Sequence, residues 1–129
     1  LLGLMQVMPG TGRDVARDIG VAFSQDRMLS DPAYNALLGA SYLKQLIETY
    51  GGNPVLVAAA YNAGPRRAEE WIGRFGDPRQ AADIVHWIEA IPFTETRNYI
   101  MRVTESMAIY EAQLTETLPG LGLSQRLVR

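Results

Sequence analysis

The chain has 129 residues, 47% of them hydrophobic and 20% charged, which suits one globular domain with a core of its own. A formal charge of −2 argues against a nucleic-acid-binding face, and the absence of cysteine excludes disulfides and thiolate metal sites. His86 is the sole histidine, so metal clusters or catalytic arrangements drawing on two histidines are excluded, and no apolar run reaches membrane-spanning length.

The chain opens at Leu1, with no initiator methionine and no signal peptide, and is read as cut from a longer protein. Leu1 to Pro9 is an apolar opening segment interrupted by one polar residue, Gln6. Pro9-Gly10-Thr11 punctuates it. Thr11 is expected to cap a short helix through Val15, Ala16 and Ile19, ending at Gly20. Residues 21–30 are expected to form a loop. Asp31-Pro32 is a cap followed by a first-turn proline. Beyond it Leu37, Leu38, Tyr42, Leu43, Leu46, Ile47 and Tyr50 recur at steps of three and four, the signature of a long helix, which Gly51-Gly52 ends.

Asn53-Pro54 opens a further helix expected to run to Tyr61, and Pro65 opens another carrying Ala68, Trp71 and Ile72. Asp83 to Ala90 is a short helix in which His86 is expected to be packed or half-exposed. Ile91-Pro92-Phe93 interrupts it. Thr94 is expected to cap a last long helix bearing Tyr99, Ile100, Val103, Met107 and Tyr110 in register. Residues 118–129, with Pro119, Gly120 and Gly122, read as a tail or as a strap over a neighbouring element. No segment alternates with a period of two between hairpin turns. The expected fold is therefore all-α: a compact, irregular domain of five to six helices without significant sheet, spanning residues 1–117 and followed by the tail.

The polar residues set in apolar surroundings are the candidates for chemistry. Gln6 must satisfy its amide through loop backbone or through a ligand. Met5 and Met8 suit core filling, although methionine also adapts to irregular ligand surfaces. Tyr61 and Asn62 stand where one helix meets a glycine-proline corner, either ending the helix or facing a cleft. Glu95 stands in a first helical turn, where the helix dipole favours a carboxylate. It is either paired with Arg97 on the surface or presented to a cleft, with Tyr99 one turn on along the same side. Trp71, Trp87, Phe93 and Tyr110 are expected in the core rather than as sugar-stacking platforms.

Three segments together carry a resemblance. Gly3-Leu4-Met5-Gln6-Val7-Met8-Pro9-Gly10-Thr11, Ala60-Tyr61-Asn62-Ala63-Gly64-Pro65 and Ile91-Pro92-Phe93-Thr94-Glu95-Thr96-Arg97-Asn98-Tyr99-Ile100 resemble, in order and at compatible spacing, the soluble lytic transglycosylases. Leu38-Gly39-Ala40-Ser41-Tyr42-Leu43 fits that family's central helix. The SLT domain of these proteins is a relative of goose-type lysozyme, so the resemblance implies a lysozyme-like fold. It also implies cleavage of peptidoglycan between N-acetylmuramic acid and N-acetylglucosamine, with an anhydro-muramic acid end. One glutamic acid serves as acid and then base, because the nucleophile is the sugar's own hydroxyl.

The same resemblance implies roles for particular residues. Gln6 and Met8 would line the glycan cleft, and Tyr61 would help orient the catalytic carboxyl. Asn62 would fix the corner or meet an acetamido group, Glu95 would contact the sugar or support the cleft wall near the scissile bond, with Tyr61 and Glu95 supporting the catalytic acid, and Tyr99 would contact sugar. No metal and no organic cofactor are implied. The partner is the peptidoglycan strand, the location a bacterial periplasm or envelope, and further domains are expected upstream of Leu1. The family's Glu-Ser-x-Phe motif does not occur in residues 1–129, since Glu105-Ser106 is followed by Met107-Ala108. The acid is therefore expected before Leu1, with this chain alone inactive. The competing expectations are a glycan-binding or scaffold module and a hydrolytic muramidase using Glu95.

Overall fold

The computed structural model describes residues 7–80 and 83–117. Among the described residues there are seven helices and no strand, in keeping with an all-α fold. The chain divides into two units, residues 1–46 and 47–129.

The first unit holds α1 (Pro9–Ile19), α2 (Gln25–Ser30) and most of α3 (Pro32–Thr49). Pro9 fits a first helical turn because that position needs no intrahelical N–H. Gly20 ends α1 in the left-handed region at φ 76°. Gly12 is buried because Met28 occupies the space a side chain would need: a Cβ there would lie 2.9 Å from Met28 Sδ. The segment before α2 is pinned by Tyr34, whose hydroxyl accepts from Ser24 N at 2.8 Å and donates to Ala22 O at 3.0 Å. Asn35, 1% exposed, meets its burial cost by donating Nδ2–H to Met28 O at 3.0 Å.

The second unit holds α4 (Pro54–Ala63), α5 (Pro65–Phe75), α6 (Ile84–Ala90) and α7 (Thr94–Thr117). Asn53 is fully buried, and its side chain accepts from both Val55 N and Leu56 N at 3.1 Å, satisfying two orphan donors of α4. From Val55 to Ala60 every α4 side chain is buried. Three successive alanines, Ala58 to Ala60, keep the helix slim, and α5 and α7 both pack on it. Trp71 and Trp87 fill the remaining space, the latter donating its indole N–H to Gly76 O at 2.8 Å. Large apolar side chains at this depth contribute roughly 1.5–3 kcal/mol each.

Several expectations are corrected. Residues 25–30 are helical rather than loop, because Ser24 caps them by accepting from Arg27 N at 3.2 Å and Met28 inserts into the core. This gives seven helices where five to six were expected. Thr11 lies inside α1 and does not cap it, since Pro9 already starts the helix after Met8. α4 continues past Tyr61 to Ala63. Thr94 is the first residue of α7 rather than its cap: Phe93 O takes the first bond, from Arg97 N at 2.9 Å. Leu37 and Ile47 are exposed, because the six of the patterned apolar positions that fall in α3 cover more of the helix than one buried face can use. Phe93 is 39% exposed rather than core, and His86 is exposed on α6. Residues 118–129 and Met5, like the side chain of Tyr110, lie outside the described residues.

Candidate functional site

Gly64 is where the second unit turns from α4 to α5. Its φ of 98° and ψ of 150° belong to a region that side-chain-bearing residues avoid. Gly64 N still bonds Ala60 O at 2.8 Å, so α4 stays wound up to the corner. Pro65 then starts α5 with its fixed φ. Tyr61 and Asn62 consequently stand on the last turn of a helix whose preceding six residues are locked in the core. Both are half-buried.

The start of α7 is held by its own residues. Ile91 is fully buried, and its carbonyl accepts from Arg97 Nη1 at 2.7 Å. Arg97 Nη2 donates to Thr94 Oγ1 at 3.2 Å. The sequence left open a surface pair of Arg97 with Glu95. The arginine turns away to the loop carbonyl, and Glu95 is left exposed, with no ion pair among the described residues.

The corner and the helix start are joined by one bond. Thr96 is 2% exposed, and its Oγ1 donates to Asn62 Oδ1 at 2.7 Å, across 34 positions of sequence. This bond fixes the Asn62 amide: with Oδ1 committed to Thr96, the Nδ2 donors have no partner among the described residues. Thr96 and Ile100 mark the buried strip of α7. Glu95 and Tyr99 run along a neighbouring strip, one turn apart. Burial pushes the Tyr99 phenol above its ordinary value, with Arg102 pulling weakly the other way. The site thus offers a carboxylate, an un-ionised phenol, a half-buried tyrosine and an amide with free donors. These are groups that hydrogen-bond hydroxyls and acetamido groups rather than groups that hold a metal. No cluster of three metal-ligating side chains occurs among the described residues.

Of the residues expected from the sequence, Tyr61, Asn62, Glu95 and Tyr99 all stand on α4 or α7, the two helices packed together in the second unit. Met8 belongs to the first unit, 51% exposed just before α1, with its carbonyl accepting from Gly12 N at 2.8 Å. Gln6 lies outside the described residues. Sequence reasoning missed Thr96. Its signal was positional: Thr96, Ile100 and Val103 share one helical stripe, so a hydroxyl there enters the core and needs a partner.

The sequence profile of the family described as "Transglycosylase SLT domain" matches residues 1–84. Among curated relatives, the chain is 38% identical over 109 residues to "Soluble lytic murein transglycosylase" of Escherichia coli (strain K12), covering 84% of this chain and 16% of that protein. It is 37% identical over 109 residues to the protein of the same name from Salmonella typhimurium (strain LT2), with the same coverage of 84% and 16%. Among solved structures it resembles an inactive glutamate-to-glutamine mutant of lytic transglycosylase Slt from Pseudomonas aeruginosa. There the TM-score is 0.73 at 38% identity, over 96% of this chain and 20% of that one. The chain thus spans about a sixth of the length of these curated relatives. Residues 1–84 take in the Tyr61–Asn62 corner, and the match with the solved structure extends over the start of α7 as well; the chain belongs to the transglycosylase SLT domain family.

Proposed function

We propose that this domain forms part of a lytic transglycosylase. On this reading it grips a murein glycan strand while the bond from N-acetylmuramic acid to N-acetylglucosamine is cleaved and an anhydro-muramic acid end is left. The observation that carries the reading is the 2.7 Å bond from Thr96 to Asn62, which ties together two segments that resemble family motifs. In the Pseudomonas relative, the inactive variant replaces a glutamate by glutamine, an exchange that keeps shape and removes an acidic proton. Chemistry that turns on one carboxyl suits a reaction whose nucleophile is built into the substrate. The muramic acid's primary hydroxyl is already held beside the anomeric carbon, at high effective concentration. One carboxyl first protonates the leaving oxygen and then takes the hydroxyl proton. A second protein carboxylate, which ordinary glycosidases need, is not required.

The roles are those that the family resemblance implies for these positions, with donor and acceptor chemistry deciding which atoms take part. The Tyr61 hydroxyl orients the acid. The Asn62 Nδ2 donors meet an acetamido carbonyl, their oxygen being engaged by Thr96. Glu95 accepts from sugar hydroxyls, and Tyr99, a phenol whose ionisation burial disfavours further, donates to one. For Gln6 and Met8 the family resemblance implies glycan contact as well. The Glu-Ser-x-aromatic motif is not in residues 1–129, so these residues serve as cleft wall and not as the proton donor. The substrate places the work in a bacterial periplasm or envelope.

The test is product analysis of sacculi digested by an active protein containing this domain. The expected products are anhydro-muramic ends; reducing muramic ends would show a hydrolase. Tyr61→Phe in that protein is expected to lower kcat by about 10- to 100-fold with little change in KM, the scale of one lost hydrogen bond to a charged group. Unchanged turnover would remove Tyr61 from the site.

A further inference from the structure

The first turn of α7 treats its four side chains unequally. Thr94 Oγ1 accepts from Arg97 Nη2 at 3.2 Å, Thr96 Oγ1 donates to Asn62 Oδ1 at 2.7 Å, and Arg97 Nη1 donates to Ile91 O at 2.7 Å. Of the four, only Glu95 has neither a hydrogen bond nor an ion pair among the described residues. It is exposed, and it stands beside Thr96, which is tied to α4, and two positions before Arg97, which is tied to the end of α6.

Arg97 spans the whole connection from α6 to α7. Ile91 caps the end of α6 and is fully buried, and Pro92 follows it. A buried carbonyl at a helix end needs a donor, and proline has none to give. The guanidinium supplies one from beyond the bend, and its second nitrogen reaches Thr94, the first residue of α7. Two nitrogens of one planar group hold both points at a fixed spacing, which the single ammonium of lysine does not. A first helical turn lacks upstream carbonyls for its own N–H groups and is prone to fray. Here Arg97 N bonds Phe93 O at 2.9 Å, and the side-chain fork adds two more ties over the same turn. Residues two apart on a helix do not face each other, so the fork steadies the backbone under Glu95 without pairing with its carboxylate.

We infer that Arg97 is a positioning residue for glycan recognition: it fixes the turn in which Glu95 stands and so aims that carboxylate at the sugar. The role rests on the reading of Glu95 as a sugar contact and deepens it. Thr96 holds the turn from the α4 side, and Arg97 holds it from the α6 side. With both in place, the freedom left to Glu95 is that of its own side-chain torsions. A carboxylate aimed in advance gives up less entropy when it accepts from a hydroxyl. Loosening the fork leaves the carboxylate chemically unchanged and spreads its position. The loss falls on binding rather than on the bond-breaking step.

The experiment measures KM and kcat on soluble murein glycan strands of one length, with an active protein containing this domain. Glu95→Gln is expected to raise KM about tenfold, the scale of one charge-assisted hydrogen bond. Arg97→Lys keeps the charge without the planar fork and is expected to raise KM about fivefold, with kcat within about twofold of the wild type. The double variant is expected to raise KM only about tenfold, as Glu95→Gln does alone, because a fork that acts through Glu95 then has nothing left to aim. A rise of about fiftyfold, the product of the single effects, would show Arg97 acting independently of Glu95 and overturns the inference. An Arg97→Lys with the KM of the wild type overturns it too. In both cases Glu95→Gln still raises KM, and the glycan reading stands. A Glu95→Gln with the KM of the wild type removes Glu95 from the sugar and takes the inference with it. Thr94→Val removes one acceptor and leaves the Ile91 carbonyl paired, so it carries the same test should Arg97→Lys fail to fold. It is expected to raise KM about threefold, and to add nothing in the Glu95→Gln background; a threefold addition there overturns the inference.

Discussion

Asn62 and Thr96 form the smallest unit on which the site depends. Thr96→Val keeps the shape of the side chain and removes its hydroxyl, leaving Asn62 Oδ1 half-buried without its partner. The expected cost is about 1–2 kcal/mol, read as a lowered urea midpoint at unchanged slope. Tyr99 supplies a second prediction. Because burial disfavours its phenolate, Tyr99 is expected among the last phenols to ionise in an ultraviolet titration, and Tyr99→Phe should remove one late-titrating group from the curve. A late phenol that persists in the variant would belong to Tyr42, which burial also raises. At this scale the sequence was readable where residue type and position agreed. Asn62 and Tyr61 beside Gly64-Pro65, and Glu95 one turn before Tyr99, each declared a corner or a face. Thr96 was not readable, because threonine serves equally at surfaces, caps and cores, and only its partner 34 positions away decides which. Phe93 misled for the opposite reason. An aromatic ring suggests core, but here its neighbour Trp71 takes the buried place and leaves Phe93 at the rim.

Helix ends set where the site residues stand. Gly64→Ala is expected to destabilise by about 2 kcal/mol although nothing lies within 4 Å of the added methyl, because the cost is carried by backbone at φ 98° rather than by collision. The matching test is a lowered melting temperature together with weakened glycan binding. The same melting temperature as the wild type would mean the corner adjusts freely. Asn53→Ala removes the acceptor of two buried N–H groups and is expected to cost about 1–2 kcal/mol. Because α4 carries Tyr61 and Asn62 at its other end, loosening its start should also weaken binding. Proline and glycine made most of these boundaries legible, since they act through their own backbone. α2 was missed because it is only six residues long, too short for a periodic pattern, and its Ser24 cap is a residue equally at home in a loop.

For the molecule as a whole, acid is the informative variable. Arg79 donates to the Asp77 carboxylate through Nε and Nη2, and its backbone N–H adds another bond. These hold Asp77 below the ordinary carboxylate value against a smaller opposing effect of burial. Asp31 is lowered in the same direction, first by the Tyr34 N–H and then by Arg27. A carboxyl whose folded value is depressed adds stability above its unfolded value, and that stability fades as pH falls through the folded value. The melting temperature is therefore expected to be flat through neutral pH and to decline below about 4, the ordinary carboxylate value. Asp77→Asn should flatten part of that decline, and an unchanged acid limb would mean that the ion pair with Arg79 adds nothing. The bond between Asn62 and Thr96 also bears on how the chain comes to life. Each helix can wind up locally and early, but Asn62, Glu95 and Tyr99, the groups proposed to meet glycan, gather only once a loop holding α5 and α6 has closed. Such closures come late in folding. Half-made copies of the protein would consequently carry the helices and lack the grip, so saccharide recognition can serve as a sensor of completed maturation.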